Sequence, residues 1–180
     1  MSYDPATKIH ELSAFGEFGG VNPSITDSST YTCLKSETMK ELFESEIEGC
    51  FLYSRHWNPS NKYLSDAISA LENSEASQIT ASGISAIACT ILQICKHGDE
   101  LISSRTIYGG TYALFKNILP RFGISVKFVD VTDLPAVESA ISDNTKLIYS
   151  ESISNPLLDI SNLSALSKLA HSHDMKLVVD

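Results

Sequence analysis

The chain has 180 residues, enough for one sizeable core with an appended arm, and its 43% hydrophobic content is ordinary for a globular protein. A formal net charge of −9 argues against general nucleic-acid binding, but a local pocket for a small anion stays open. No apolar run is long enough to cross a membrane, and MSYDPATKIHEL lacks the basic and apolar segments of a secretory signal.

In chain order, residues 1–60 show weak periodicity and read as an extended arm with one acidic helical stretch around Glu37–Glu46. SNKYLSDAISALE places Leu64, Ile68 and Leu71 on one helical face, with Ser60 or Asn61 as its cap. SQITA is a short apolar run with the look of a strand, and ASGISAIACTILQICKHGDE is a very apolar helix that HGD stops. ELISS is a strand, YGG a turn, and TYALFKNILPRFG a helix ended by Gly123. ISVKFVD is a strand, and Asp133 caps the short helix DLPAVESAI. KLIYSE is a strand, SISNPLLD a loop, SNLSALSKLAHSHD a helix and KLVVD a last strand. Five strands alternating with helices predict an α/β fold, with a largely parallel sheet covered on both faces. KLVVD reads as a buried strand, and a stop at Asp180 directly after it reads as a truncated domain.

Cys33, Cys50, Cys89 and Cys95 form no CxxC pair, and two lie in an apolar helical run, so they read as buried reduced thiols of a cytoplasmic protein. His171 and His173 are two apart on a helix and point in different directions, so no metal set is expected.

In an open α/β sheet, ligands bind beyond the carboxyl ends of the strands. There the sequence places Ser82-Gly83 opening a helix, Tyr108 before Gly109-Gly110, Asn155-Pro156, and Asp180. A glycine at a helix start bares backbone N–H groups to an anion, although Ser82 also suits a plain cap and Gly83 a packing position. Tyr108 suits a stacking platform or a half-buried turn, and Asn155-Pro156 is commonly only a turn. In FLYSRHWNPSN, an extended backbone would send Tyr53 and Arg55 to one side, a pairing that suits a phosphate or a surface ion pair. No GxGxxG follows the first strand and no Walker lysine is present, which excludes a standard nucleotide-binding domain.

The stretches YSRHWNPSN, ITASGISAI, HGDELISS, TIYGGTYALF, SESISNPLLDI and HDMKLVVD occur in the order and spacing of one family. From about residue 20 onward the chain resembles the Cys/Met-metabolism (trans-sulfuration) family of pyridoxal-phosphate enzymes, which includes cystathionine γ-synthase, cystathionine lyases, methionine γ-lyase and O-acetylhomoserine sulfhydrylase. The resemblance implies a truncated fold-type I, aspartate-aminotransferase-like large domain, with residues 1–60 as an arm reaching a neighbouring subunit and 61–180 as the first part of the cofactor domain. It implies pyridoxal 5'-phosphate as cofactor, a small amino-acid substrate, and a dimer of dimers with shared active sites. It also implies elimination or replacement at the β or γ carbon of sulfur-containing or O-acyl amino acids. By the same resemblance Tyr53 and Arg55 bind the cofactor phosphate of the neighbouring subunit, and Ser82, Gly83 and Ile84 give it backbone N–H groups. Tyr108 stacks on the ring and assists proton transfer, Asn155 bonds its phenolic oxygen, and Asp180 pairs with its nitrogen.

The chain departs from the family pattern in four places. Ile84 stands where methionine is common, and Trp57 where a small residue is common. Gly110 stands where methionine γ-lyases carry cysteine, which points toward a synthase or sulfhydrylase. None of the ten lysines sits in the Ser-x-Thr-Lys context of the family's cofactor lysine, so the 180 residues alone are expected to be inactive. A second reading rests on the 180-residue length alone, and the abrupt stop after VVD counts against it: a non-catalytic fragment that acts by association with another subunit.

Overall fold

The structure, a computed structural model, describes residues 4–12, 16–33, 35–44 and 50–180. These group into two compact units, one up to Ile79 and one of Thr80–Asp180.

In the first unit, Asp4 caps α1 (Pro5–Glu11), and the acidic stretch forms a 3-10 turn, Ser36–Thr38, that leads into α2 (Met39–Phe43). Residues 45 and 46 of the expected acidic helix lie outside the described residues. The main element is α3 (Pro59–Glu72), capped by Asn58, whose side-chain oxygen accepts from the Asn61 N–H at 2.8 Å. This corrects the expected cap at Ser60 or Asn61. Proline lacks the N–H that the first helical position leaves unused, so Pro59 begins the helix and the cap falls one residue earlier. Leu64, Ile68 and Leu71 share a face that stays partly exposed. Ser65 is buried and its hydroxyl donates to the Ser77 carbonyl.

The second unit is a four-stranded, wholly parallel sheet: β1 (Glu100–Ser104), β2 (Ser125–Val129), β3 (Thr145–Ser150) and β4 (Lys176–Val179), in the order β2-β1-β3-β4. Successive side chains alternate between faces. Leu101, Leu147 and Tyr149 pack under Ile91 of α4 (Gly83–Ile94) and Cys95, which caps its C-terminus, and under Leu114, Phe115 and Leu119. Ile102 and Ile148 pack on the other face against Val137 of α6 (Leu134–Ala140) and Leu166 and Ala170 of α7 (Leu163–Ser172). The expected doubly covered sheet is therefore present, with both edge strands less buried than β1 and β3.

Three expectations need correction. SQITA joins no strand, and the sheet of the described residues has four members rather than five. β4 is an edge strand with Val179 exposed, not a buried one. TYALFKNILPRF is not one helix: α5 (Gly109–Ala113) passes into a π turn, Leu114–Ile118, and a 3-10 turn, Leu119–Phe122. Pro120 offers no N–H and crowds the carbonyl one turn back, so a regular α ladder cannot run through it. Gly123 ends this segment at φ 73°, as expected. Among the cysteines only Cys95 is buried; burial, with Asp99 beside it, pushes its thiol up to about 11. Cys50 and Cys89 are exposed, because Cys89 falls on the outer face of α4.

Candidate active site

The strand order reverses direction at β1. The chain leaves β1 through α5 to β2 on one side, then returns through α6 to β3 on the other side. The carboxyl ends of β1 and β3 thus flank a topological switch point, where an open α/β sheet leaves a crevice. The loop after β1 brings Tyr108 there, the loop after β3 brings Glu151, Ile153 and Asn155, and Asp180 follows β4. These five residues line one cleft of about 250 Å³. Three of the residues singled out in the sequence, Tyr108, Asn155 and Asp180, therefore converge although they are far apart in the chain.

Glu151 fixes this arrangement. It is buried, and its carboxylate takes one backbone N–H on each oxygen: Tyr108 on Oε1 at 2.6 Å and Asn155 on Oε2 at 3.0 Å. Its carbonyl accepts from the Ser161 hydroxyl at 2.8 Å, and that hydroxyl lies 2.7 Å from Ser150 Oγ. The Asn155 loop closes on itself, with the Asp159 N–H donating to Ser154 Oγ and the Ser154 N–H to the Asp159 carbonyl, both at 2.9 Å. The Asn155–Pro156 peptide is cis. Asp180 extends the β3–β4 ladder through its N–H to the Ser150 carbonyl at 3.0 Å, and its Oδ2 accepts from the Tyr149 phenol at 3.0 Å.

The Tyr108 ring is half exposed and covers Gly110. A Cβ on Gly110 would meet Tyr108 Cε1 at 2.6 Å and Ile84 Cδ1 at 3.3 Å, so the start of α4 stands against the same loop. Ser82 is the cap of α4: its Oγ accepts from the Ser85 N–H at 3.1 Å. Gly83 is not a packing glycine, since a Cβ there meets nothing within 4 Å. The first N–H groups of a helix have no partner inside it, and no neighbour crowds the side-chain position of Gly83.

Tyr53 and Arg55 belong to the first unit. They are not in an extended run, as the sequence suggested, but in a turn whose His56 and Trp57 N–H groups both donate to the Tyr53 carbonyl. Arg55 folds back over the Tyr53 ring at 4.9 Å from its centroid. The turn thus brings phenol and guanidinium together by stacking rather than by strand periodicity.

A larger cleft of about 500 Å³ lies around Glu138, Asp143, Lys146, His173 and Asp174. It sits at the amino ends of β3 and β4, where the ends of parallel strands seldom build ligand sites. Glu151 and Tyr149 were not singled out by the sequence. The available signal was an acid directly following the mostly buried run TKLIYS, since a buried carboxylate requires donors.

A model of the family described as Cys/Met metabolism PLP-dependent enzyme matches residues 6–180. Methionine gamma-lyase of Arabidopsis thaliana is 42% identical over 98% of this chain and 42% of its own length. O-succinylhomoserine sulfhydrylase of Pseudomonas aeruginosa is 37% identical over 92% of the chain and 40% of its own length. The crystal structure of cystathionine gamma-lyase from Lactobacillus plantarum, complexed with L-serine, superposes with a TM-score of 0.86 at 33% identity, over 100% of this chain and 44% of that one. The chain spans less than half the length of these relatives.

Proposed function

The chain belongs to the Cys/Met metabolism family of PLP-dependent enzymes, and from that premise we propose that the protein eliminates or replaces a substituent at the β or γ carbon of a sulfur-containing or O-acyl amino acid. The observation that carries the proposal is the meeting of Tyr108, Asn155 and Asp180 around one cleft at the switch point.

The residues present fit pyridoxal phosphate. The open start of α4 offers N–H groups and the positive end of the helix dipole to a phosphate, through Ser82, Gly83 and Ile84. Asp180 offers a fixed carboxylate to a protonated ring nitrogen, Asn155 an amide to the ring oxygen, and Tyr108 a half-exposed aromatic face. When bound, the cofactor supplies an electron sink for the charge left on the substrate's α carbon. The task of Asp180 is to hold the proton on the ring nitrogen, and Tyr149 fixes the direction in which that carboxylate faces. Tyr108 would stack on the ring and would assist proton transfer from the incoming amine.

The finer points are proposals too. Tyr53 and Arg55 reach the phosphate of a second copy, in a tetramer of two such dimers in the cytoplasm. Residues 1–60 serve as the arm for that exchange, and residues 61–180 belong to the cofactor domain. No lysine lines the cleft among the described residues, so the 180 residues bind and orient but are not expected to turn over alone. The substrate choice between the lyase and sulfhydrylase reactions of the relatives is open to a direct test. A protein of the relatives' full length that carries these 180 residues together with the family's cofactor lysine is incubated with pyridoxal phosphate and either L-methionine, or O-acetylhomoserine with sulfide, and the release of 2-oxobutyrate or homocysteine is followed. Turnover of either supports the proposal, with Gly110 favouring the second. Absence of turnover on these and on cystathionine rejects it.

A further inference from the structure

Glu151 holds an unusual position for a carboxylate. It is buried, it sits at the carboxyl end of a central strand, and none of its described partners is a cation. Each oxygen instead takes one backbone N–H, and the two N–H groups belong to the two loops that flank the switch point. A carboxylate is an acceptor at both oxygens, so one side chain can satisfy two donors that face each other across the crevice. An amide of the same shape cannot do this, because one of its ends is itself a donor.

We propose that Glu151 is a positioning residue that clamps the main chains of Tyr108 and Asn155 to one another, and thereby sets the aromatic face and the ring-oxygen amide at a fixed separation across the cleft. The clamp rests on the cofactor reading given above for Tyr108 and Asn155. It does not touch the reacting atoms. Its effect is geometric: the loop after β1 and the loop after β3 share no backbone ladder at this level, since the β1–β3 pairing ends at Ser103 and Tyr149. Beyond that point, among the described residues, the Glu151 carboxylate ties the Tyr108 N–H to the residue that follows β3. The serine pair behind it, Ser150 and Ser161, holds the Glu151 main-chain carbonyl.

The test uses a protein of the relatives' full length that carries these 180 residues and the family's cofactor lysine, and three variants of it. Glu151→Gln keeps the size but offers a donor to one of the two N–H groups. Glu151→Asp keeps the charge but is one methylene short. Glu100→Gln is the control: Glu100 is a largely buried glutamate at the other end of the same sheet, bonded to Lys127 at 2.8 Å and Thr145 at 2.9 Å. The first readout is hydrogen exchange at the Tyr108 and Asn155 amides without cofactor. Both amides exchange slowly in the wild type. In E151Q and E151D at least one of them speeds up by about tenfold, the equivalent of ~1.4 kcal/mol, and in E100Q neither changes. The second readout is the visible circular dichroism of bound pyridoxal phosphate, which weakens in E151Q and E151D and not in E100Q. A kcat loss of about tenfold with KM nearly unchanged accompanies it.

Unchanged amide exchange and dichroism in E151Q would overturn the clamp. So would wild-type amides that exchange at the rate of an open loop, a result that needs no variant to fold. A wild-type chain that takes up no pyridoxal phosphate defeats the cofactor reading instead, and the amide measurement still decides the clamp.

Discussion

The phenol of Tyr149 donates to Oδ2 of Asp180 at 3.0 Å, across the β3–β4 edge of the sheet. Tyr149 is fully buried, its ring packed edge-on against Phe115 at 4.9 Å between centroids. Burial, and then the Asp180 carboxylate beside it, push the phenol above its ordinary value, so it stays a donor wherever the fold is stable. Tyr149→Phe removes that hydroxyl alone. It is expected to cost about 1–3 kcal/mol in urea unfolding, because a bond to a charged acceptor is lost, and to lower kcat by letting Asp180 turn. Unchanged stability and turnover would mean that Asp180 is held by its backbone only.

The same pair sets a pH dependence. The folded pKa of Tyr149 is raised, so its contribution is complete below the unfolded tyrosine value of about 10 and is lost as pH rises above that, toward the folded value. The stability difference between wild type and Y149F should therefore be flat through neutral pH and shrink above about pH 10. Unfolding curves taken at several alkaline pH values check this, and a difference that grows there would refute the assignment.

Gly83 separates packing from binding. A Cβ there meets nothing, so Gly83→Ala should leave the melting temperature unchanged or raise it, through the loss of chain freedom in the unfolded state. On the proposal that the cofactor phosphate lies against Gly83, the added methyl crowds it, and affinity for pyridoxal phosphate should fall by about tenfold or more. Ser82→Ala should do the reverse, costing about 1 kcal/mol as a lost cap while leaving backbone donation intact. Cofactor titration by fluorescence, set beside thermal melts, distinguishes the two.

Gly110 and Gly123 are both intolerant of a side chain, for different reasons. At Gly110 the obstacle is the half-exposed Tyr108 ring, which can swing away, so Gly110→Ala should disturb turnover more than stability. At Gly123 the backbone is left-handed and a Cβ would run into the His97 ring, while the Gly123 carbonyl accepts from the Gly98 N–H at 2.9 Å. Gly123→Ala should cost about 1–3 kcal/mol with no specific effect on cofactor binding. Urea midpoints and cofactor titration of the two variants check the contrast.

The sheet was legible because its core is written as short apolar runs bounded by glycine, proline and polar turns. ELISS, SVKFV, TKLIYS and KLVV all became parallel strands. SQITA carries the same local signal but finds no partner strand, and a strand exists only through its ladder. Residues 111–122 carry helical periodicity that Pro120 breaks from within. Of the site, Tyr108, Asn155 and Asp180 could be read because each stands where a strand ends and a loop begins. Tyr53 and Arg55 were rightly paired for the wrong geometric reason, since the turn and the stacked guanidinium bring them together. Glu151 and Tyr149 escaped because the bonds from Glu151 to Tyr108 and from Tyr149 to Asp180 span 43 and 31 residues, and no periodicity announces such bonds.

The central claim is that the switch-point cleft holds the cofactor with Asp180 at its ring nitrogen. The measurement that tests it most directly is kcat and cofactor stoichiometry for Asp180→Asn, beside the wild type, in a protein of the relatives' full length that carries these 180 residues and the family's cofactor lysine. The account predicts that pyridoxal phosphate still binds, through contacts other than Asp180, while kcat falls by roughly a hundredfold or more, because the ring nitrogen loses the carboxylate that keeps it protonated. Wild-type turnover in that variant would contradict it.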